Sequence, residues 1–270
     1  NYALKIYPNE PYNRRLSAEL NFLKYLVQCD ISCVPRVVCY SESNSWILLS
    51  WICGNKLDHL TNADITQISH FITSINSPTA QSFHKQLHPA SDSYTSLSHC
   101  VSSIETRLNK LLIYKPSTEL EVAIFNWLSD YFTPLFYHHK EFLLQRKKDL
   151  SHWSYFSPFQ IASPSDVGIH NVLETPYGLS FIDFEYSGLD DMSKFVGDWI
   201  LQPNYCFTDN QESFFINQIM DNMPFLGSSW IDRFFDLRYL MICKWILIML
   251  KGYTTGTCDE IHFNNVLAYC

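Results

Sequence analysis

The sequence predicts an α+β chain in which a small strand-rich part precedes a larger, mainly helical one. Three observations lead there. Residues 2 to 7, YALKIY, alternate with the period of a strand and are followed by Leu16, Leu20, Leu23 and Val27 at helical spacing. A second pair of short apolar runs, at 171–173 and 179–183, flanks the turn residues Pro176-Tyr177-Gly178 and reads as a β-hairpin. Long stretches of helical periodicity, 94–147 and from about Asp191 onward, enclose that hairpin.

In the first strand, Leu4 and Ile6 share what reads as the core face. Ala3, Lys5 and Tyr7 share the other, so Lys5 points away from the core beside the small Ala3. Asn13 is placed to cap the following helix, and Glu19 lies at the edge of its apolar stripe within reach of Lys5. Strands are expected near 36–40 and 46–51, joined by the turn-like SESNS, with Gly54 and Asn55 marking a hinge. Asp64 to Ile75 has helical periodicity. Ser77 to Ser93, rich in Ser, His and Pro, reads as a surface loop on the substrate side. In 94–147, Ile104, Leu108, Leu111 and Leu112 form one stripe, and Phe125, Leu128, Tyr131 and Phe132 another. There are no repeats and no low-complexity tract.

Chemistry concentrates in residues 163 to 188, SPSDVGIHNVLETPYGLSFIDFEYSG. Asp166 and Asn171 are five residues apart, and Asp183 ends the apolar run that begins at Leu179. An acid followed at this distance by an Asn has the spacing of a kinase catalytic loop. The Asp can accept a proton from a substrate hydroxyl. The Asn amide oxygen and the later carboxylate can hold magnesium against nucleotide phosphates. Lys5 and Glu19 complete an ordered set of Lys, Glu, Asp, Asn and Asp, each on the expected element. His170 is expected to orient the loop. Asp190 and Asp191 are expected to cap the next helix. Asp198 reads as a polar-face residue rather than a brace for the loop, His138-His139 as a solvated pair, and Trp153, Tyr155, Phe156 and Phe159 as core packing.

Composition narrows the classes. In 270 residues, 47% are hydrophobic and 16% aromatic, which excludes disorder and allows a sizeable core. A net charge of −8 argues against nucleic acid or an anionic membrane as partner and is compatible with a cationic substrate. The nine cysteines are scattered without paired C-x-x-C spacing and read as reduced core thiols of a cytoplasmic protein. The apolar stretch Tyr239 to Leu250 is interrupted by Lys244 and too short to span a bilayer, so it reads as a buried helix.

With these residues in place, the chain resembles the aminoglycoside phosphotransferase and choline/ethanolamine kinase superfamily, most closely the bacterial branch described only as a phosphotransferase enzyme family. The segments that carry the resemblance are YALKIYP, RLSAELNFLKYL, ILLSWICGNKL, SPSDVGIHNVL, FIDFEYSGLDD and the apolar helix around CKWILIML. The resemblance implies a protein-kinase-like pair of lobes, with residues 1–53 as the N-lobe and 54–270 as the C-lobe. It implies ATP and Mg²⁺ as cofactors and a small-molecule hydroxyl as acceptor. Lys5 would contact phosphates and pair with Glu19, and the backbone near Ser50, Trp51 and Ile52 would meet the adenine. Asp166 would be the base, and Asn171 and Asp183 the magnesium ligands. Two strands and a phosphate-covering turn are expected ahead of the lysine strand, and no glycine precedes Gly54. Pro164 and Ser165 stand where the family often has His-Gly. A catalytically weak nucleotide-binding pseudokinase is the alternative.

Overall fold

In the computed structural model, residues 1–8, 14–94, 96–146, 159–166 and 168–269 are described. The elements in order are β1 (Tyr2–Ile6), α1 (Arg14–Gln28), β2 (Val37–Ser41), β3 (Trp46–Ser50), β4 (Asn55–Lys56), α2 (Asn62–Ser74), α3 (Pro78–Gln81), α4 (Leu97–Ile113), α5 (Glu119–Trp127) and α6 (Thr133–Arg146). There follow β5 (Gln160–Ser163), β6 (Val172–Thr175), β7 (Gly178–Phe181), β8 (Gly188–Asp191), α7 (Met192–Ile200), α8 (Asp209–Asn222), α9 (Ser229–Met249) and α10 (Glu260–Tyr269). The class is α+β, with small antiparallel sheets and a larger helical part. Two compact units are distinguished: Asn1–Ser93 with Phe159–Trp230, and the described part of Tyr94–Pro158 with Ile231–Cys270.

The first unit holds three small sheets. β1, β3 and β2 lie in that order, antiparallel, with Lys5 opposite Ile47 and Ala3 opposite Leu49. The alternation in β1 is as expected but its facing is reversed. Leu4 and Ile6 are 59% and 71% exposed, while Ala3 and Lys5 are half-buried and Tyr7 is buried. The inner face is the one that carries Ile47 and Leu49, because there Lys5 and Tyr7 meet a buried acid on α1. A satisfied ammonium and hydroxyl on that side outweigh the apolar preference of two strand residues. On α1 the stripe runs through Leu16, Glu19, Leu20, Leu23 and Leu26; Val27 is exposed, since the buried face continues from Leu23 by three residues rather than four. The Asn13 cap lies outside the described residues.

β4, β6 and β7 form the second sheet, which includes the expected hairpin, and β5 pairs with β8 in the third. A Cβ on Gly54 would lie 2.7 Å from the Glu174 carbonyl oxygen, so glycine lets the chain after β3 run flush against β6. α2 begins with a capping box of Thr61 and Asp64. Phe71 of α2 stacks on Phe181 of β7, centroids 4.0 Å apart, which is worth about 0.5–1.5 kcal/mol beyond the area buried. Residues 77–93 are more built than a surface loop. They contain α3, bury Ala80, Leu87 and Ala90, and lie along β8 through Ala90 N–H to the Leu189 carbonyl (2.9 Å) and Leu189 N–H to the His88 carbonyl (2.8 Å).

All nine residues of α7 are buried, charged ones included. Asp191 caps the helix by accepting from the Ser193 and Lys194 N–H groups. Asp190 does not cap. It accepts from Lys194 Nζ at 2.7 Å, and Asp198 accepts from the same ammonium at 2.9 Å. Asp198 is thus a buried ion partner, not a polar-face residue. Burial works against the Lys194 charge, but the two carboxylates outweigh it and hold its pKa above the ordinary value.

In the second unit, α4 buries Leu97, Cys100, Val101, Ile104, Leu108 and Leu111. A π-helical turn at Leu128–Phe132 joins α5 to α6 and puts Ile124, Leu128, Phe132 and Phe136 on the buried side at steps of four. That turn leaves Tyr131 70% exposed, against the expected stripe. His138 is exposed as expected, but His139 packs on Tyr239 with ring centroids 4.1 Å apart. Lys244 of α9 is buried, over the Trp245 ring. No helix among the described residues is long and apolar enough to cross a membrane, and the eight described cysteines are free thiols.

The α7 charges give a direct test. Lys194→Met leaves Asp190 and Asp198 buried without their cation and is expected to destabilise by about 3–5 kcal/mol in urea unfolding. An unchanged midpoint would show that the carboxylates are neutral.

Candidate active site

The site is assembled where β1, α1 and the segment after β7 meet. Lys5 Nζ donates to Glu19 Oε2 at 2.7 Å and to Asp183 Oδ1 at 2.5 Å, and Glu185 Oε2 lies 3.2 Å away. Glu19 is 1% exposed and fully engaged. Besides Lys5 it accepts from Tyr7 Oη at 2.5 Å and, through Oε1, from the Phe184 N–H at 3.4 Å. Burial alone would lower the Lys5 pKa, but the Glu19 charge and the hydrogen bonds to Asp183 and Glu19 hold it above its ordinary value. Burial, then the same Glu19 charge, raises Tyr7, so its hydroxyl stays a donor. Glu185 also pairs with Arg15 of α1 at 3.2 Å, and Arg15 lies over the Tyr186 ring. Three carboxylates therefore face two cations, an excess of one negative charge. Ligand oxygens of Glu19, Asp183 and Glu185 all lie within 4.8 Å of one another.

Asp166 and Asn171 sit on the loop between β5 and β6. Asn171 Nδ2 donates to the Asp166 carbonyl at 2.9 Å, which closes the loop on itself and leaves the amide oxygen out of that bond. Its backbone carbonyl accepts from the Ile182 N–H at 3.0 Å, which binds this loop to the segment carrying Asp183. The Asp166 carboxylate is not among the ion partners of Lys5; His170 Nε2 lies 3.7 Å from it. Pro164 and Ser165 shape the approach: Ser165 N–H donates to Ser163 Oγ at 3.0 Å and its hydroxyl to the Ser91 carbonyl at 3.1 Å. Ser165 and Asp183 both have φ 66°, a region that costs a non-glycine residue energy and persists only where surroundings impose it. The strain lies next to Asp166 and at Asp183 itself.

Asp166 and Asn171 line a small cavity with Phe71, Phe181 and Ile182, whereas a separate cleft of about 650 Å³ has none of the charged site residues on its wall. Ser32, Cys33, Val34, Arg36, Ser50, Ile52 and Cys53 line one side, and Thr175, Pro176, Tyr177, Leu179 and Ser180 the other. Of the three expected adenine neighbours, Ser50 and Ile52 are on its wall, whereas the Trp51 side chain is 57% exposed. Trp153, Tyr155 and Phe156 lie outside the described residues; Phe159 is buried, as expected of core packing.

Sequence reasoning missed Tyr7, Arg15 and Glu185. Signals existed for two of them: Tyr7 shares the Lys5 face by alternation, and Glu185 stands two residues past Asp183. Arg15 carries none, because its role depends on how α1 docks.

No protein-family model and no curated protein matches the sequence. Solved structures do resemble the fold. An ethanolamine kinase from Plasmodium vivax is 14% identical with a TM-score of 0.63, over 100% of this chain and 75% of that one. A choline kinase from Cryptosporidium parvum is 12% identical with a TM-score of 0.63, over 99% and 80%. The ADP-bound aminoglycoside phosphotransferase APH(2'')-Ib is 16% identical with a TM-score of 0.61, over 99% and 85%.

The Lys5–Glu19 contact invites a double-mutant cycle. Lys5→Met and Glu19→Gln, singly and together, are expected to couple by about 0.5–3 kcal/mol in chemical unfolding. Additive effects would mean that the pair does not interact in solution. The chain thus has the fold shared by choline and ethanolamine kinases and aminoglycoside phosphotransferases.

Proposed function

We propose that the chain is an ATP-dependent kinase that transfers the γ-phosphate to a hydroxyl of a small molecule, with residues 1–53 acting as N-lobe and 54–270 as C-lobe. The observation that carries this reading is the ammonium of Lys5 held between Glu19 and Asp183. One cation positioned by a buried acid, beside a second acid at a strained backbone position, is the arrangement phosphate binding and metal binding need together.

The cleft supports a nucleotide with its base between Ser50–Ile52 and the β6–β7 hairpin. Along β1, Lys5 lies three residues from the position opposite Ser50, roughly 10 Å at the rise of a strand. That distance suits an adenosine whose phosphates reach Lys5. The Asp183 carboxylate and the amide oxygen of Asn171 are hard oxygen donors and fit magnesium. Magnesium, when bound, neutralises phosphate charge and orients the transferred group. Lys5 steadies the phosphates, and Glu19 holds Lys5. Asp166 accepts the hydroxyl proton as the acceptor oxygen bonds to the γ-phosphorus and the bond to ADP breaks. Net acidity suits a cationic acceptor such as an amino alcohol or amino sugar. Replacement of the usual His-Gly by Pro164 and Ser165 favours the second reading, a nucleotide-binding pseudokinase.

Asp166→Asn separates the two. For a kinase, transfer is expected to fall about 10²–10⁴-fold while Mg-ATP affinity holds, since Asp166 serves only the acceptor. For a pseudokinase, wild type and mutant bind ATP alike and neither turns it over. Asp183→Ala is expected to abolish the magnesium-dependent part of ATP binding, read as the ATP thermal shift with and without Mg²⁺. A magnesium increment that survives in the mutant removes Asp183 from the metal site.

A further inference from the structure

We propose that Gln202, just beyond the end of α7, is the positioning residue of the Asp166–Asn171 loop. The proposal rests on the phosphotransfer reading for its effect on rate, though not for the contact itself. Gln202 is 3% exposed. Its Oε1 accepts from the Ile169 N–H at 3.0 Å, and its Nε2 donates to the Trp199 carbonyl at 2.9 Å, in the last turn of α7. The amide therefore bridges a buried helix end and the first residue of the short helical turn Ile169–Asn171.

That N–H is buried, so its acceptor is not interchangeable with solvent. Fixing Ile169 fixes the turn: the Asn171 N–H bonds the Gly168 carbonyl at 3.1 Å, and Asn171 Nδ2 bonds the Asp166 carbonyl. Both residues assigned to the reaction are then set by one anchored point. Gly168 belongs to the same device. A Cβ there would lie 2.8 Å from Gln202 Oε1 and 2.6 Å from the His170 ring, so glycine is what lets the loop come within bonding range of the amide. The anchor cannot drift, because α7 is buried along its whole length and its Lys194 is tied to Asp190 and Asp198. Gln202 touches no reacting atom.

The test compares wild type with Gln202→Leu and Gln202→Glu. Leucine removes both the acceptor and the donor, whereas glutamate keeps an oxygen for the Ile169 N–H and loses only the bond to the Trp199 carbonyl. Two readouts are taken: amide hydrogen exchange over 166–172, and ADP release from Mg-ATP with amino alcohols and amino sugars as acceptors. In Gln202→Leu, exchange is expected to accelerate in that segment only, and kcat to fall about 10–100-fold, as for outer partners of a ligand set, with KM for ATP unchanged. Gln202→Glu is expected to recover part of both. Unchanged exchange overturns the proposal. So does faster exchange with an unaltered kcat, which would make Gln202 merely structural. If Gln202→Leu does not fold, Gln202→Glu decides: exchange and kcat near wild type support the tie through the oxygen, and faster exchange over 166–172 with an unaltered kcat overturns it. Wild type that binds Mg-ATP without releasing ADP defeats the kinase reading, and exchange over 166–172 then decides the contact alone.

Discussion

A buried carboxylate has to be neutralised or fully hydrogen-bonded, and Glu19 governs much of the first unit for that reason. It draws Lys5, Tyr7 and the Phe184 N–H to one point. Those three groups come from a strand, the residue beyond it and the segment after β7. Satisfying one acid therefore sets the facing of β1, the docking of α1 and the start of the segment from Phe184. Phe22 and Phe184, with ring centroids 5.4 Å apart, complete the contact with apolar packing. The catalytic reading needs Lys5 held at that same point, so stability and function depend on one cluster.

A second polar cluster joins α7 to the end of β8, and its logic differs. Lys194, Asp190 and Asp198 make no claim on a ligand. Taking three charges out of water is costly, and such clusters seldom stabilise a fold beyond what an apolar core would give. Their consequence here is rigidity: the helix has one position in which all three are paired. Loops built on it inherit that position, and the loop of Asp166 is one of them.

Much of this was legible in the sequence, and the limits have physical causes. The order of Lys5, Glu19, Asp166, Asn171 and Asp183 was readable because each sits at a fixed offset from a periodic element. The hairpin followed from local chemistry, but α2 begins at Asn62 behind a Thr61 cap rather than at Asp64, and of the eight described cysteines only Cys100 and Cys243 are buried, because a scattered cysteine carries no mark of its burial. The facing of β1 was not readable, since period-2 alternation assigns two faces without saying which is inner, and a polar attraction made the choice. The exposure of Tyr131 depends on a π-helical turn, which shifts the buried side without marking the composition. Burial of Asp198 requires Lys194 on the same helix and Asp190 on the preceding strand β8 to be seen as a set. Gln202 had no signal, because its partner is a backbone N–H more than thirty residues away.

The central claim is that these groups transfer phosphate rather than merely hold a nucleotide. It is tested most directly by following Mg-ATP with the wild-type chain by phosphorus NMR, in the presence of amino-alcohol and amino-sugar acceptors. The account predicts that the γ-phosphate resonance is replaced, in step with ADP, by a phosphomonoester resonance that appears only with an acceptor bearing a hydroxyl. Saturable binding of Mg-ATP with the γ-phosphate intact over hours, whatever the acceptor, would contradict it.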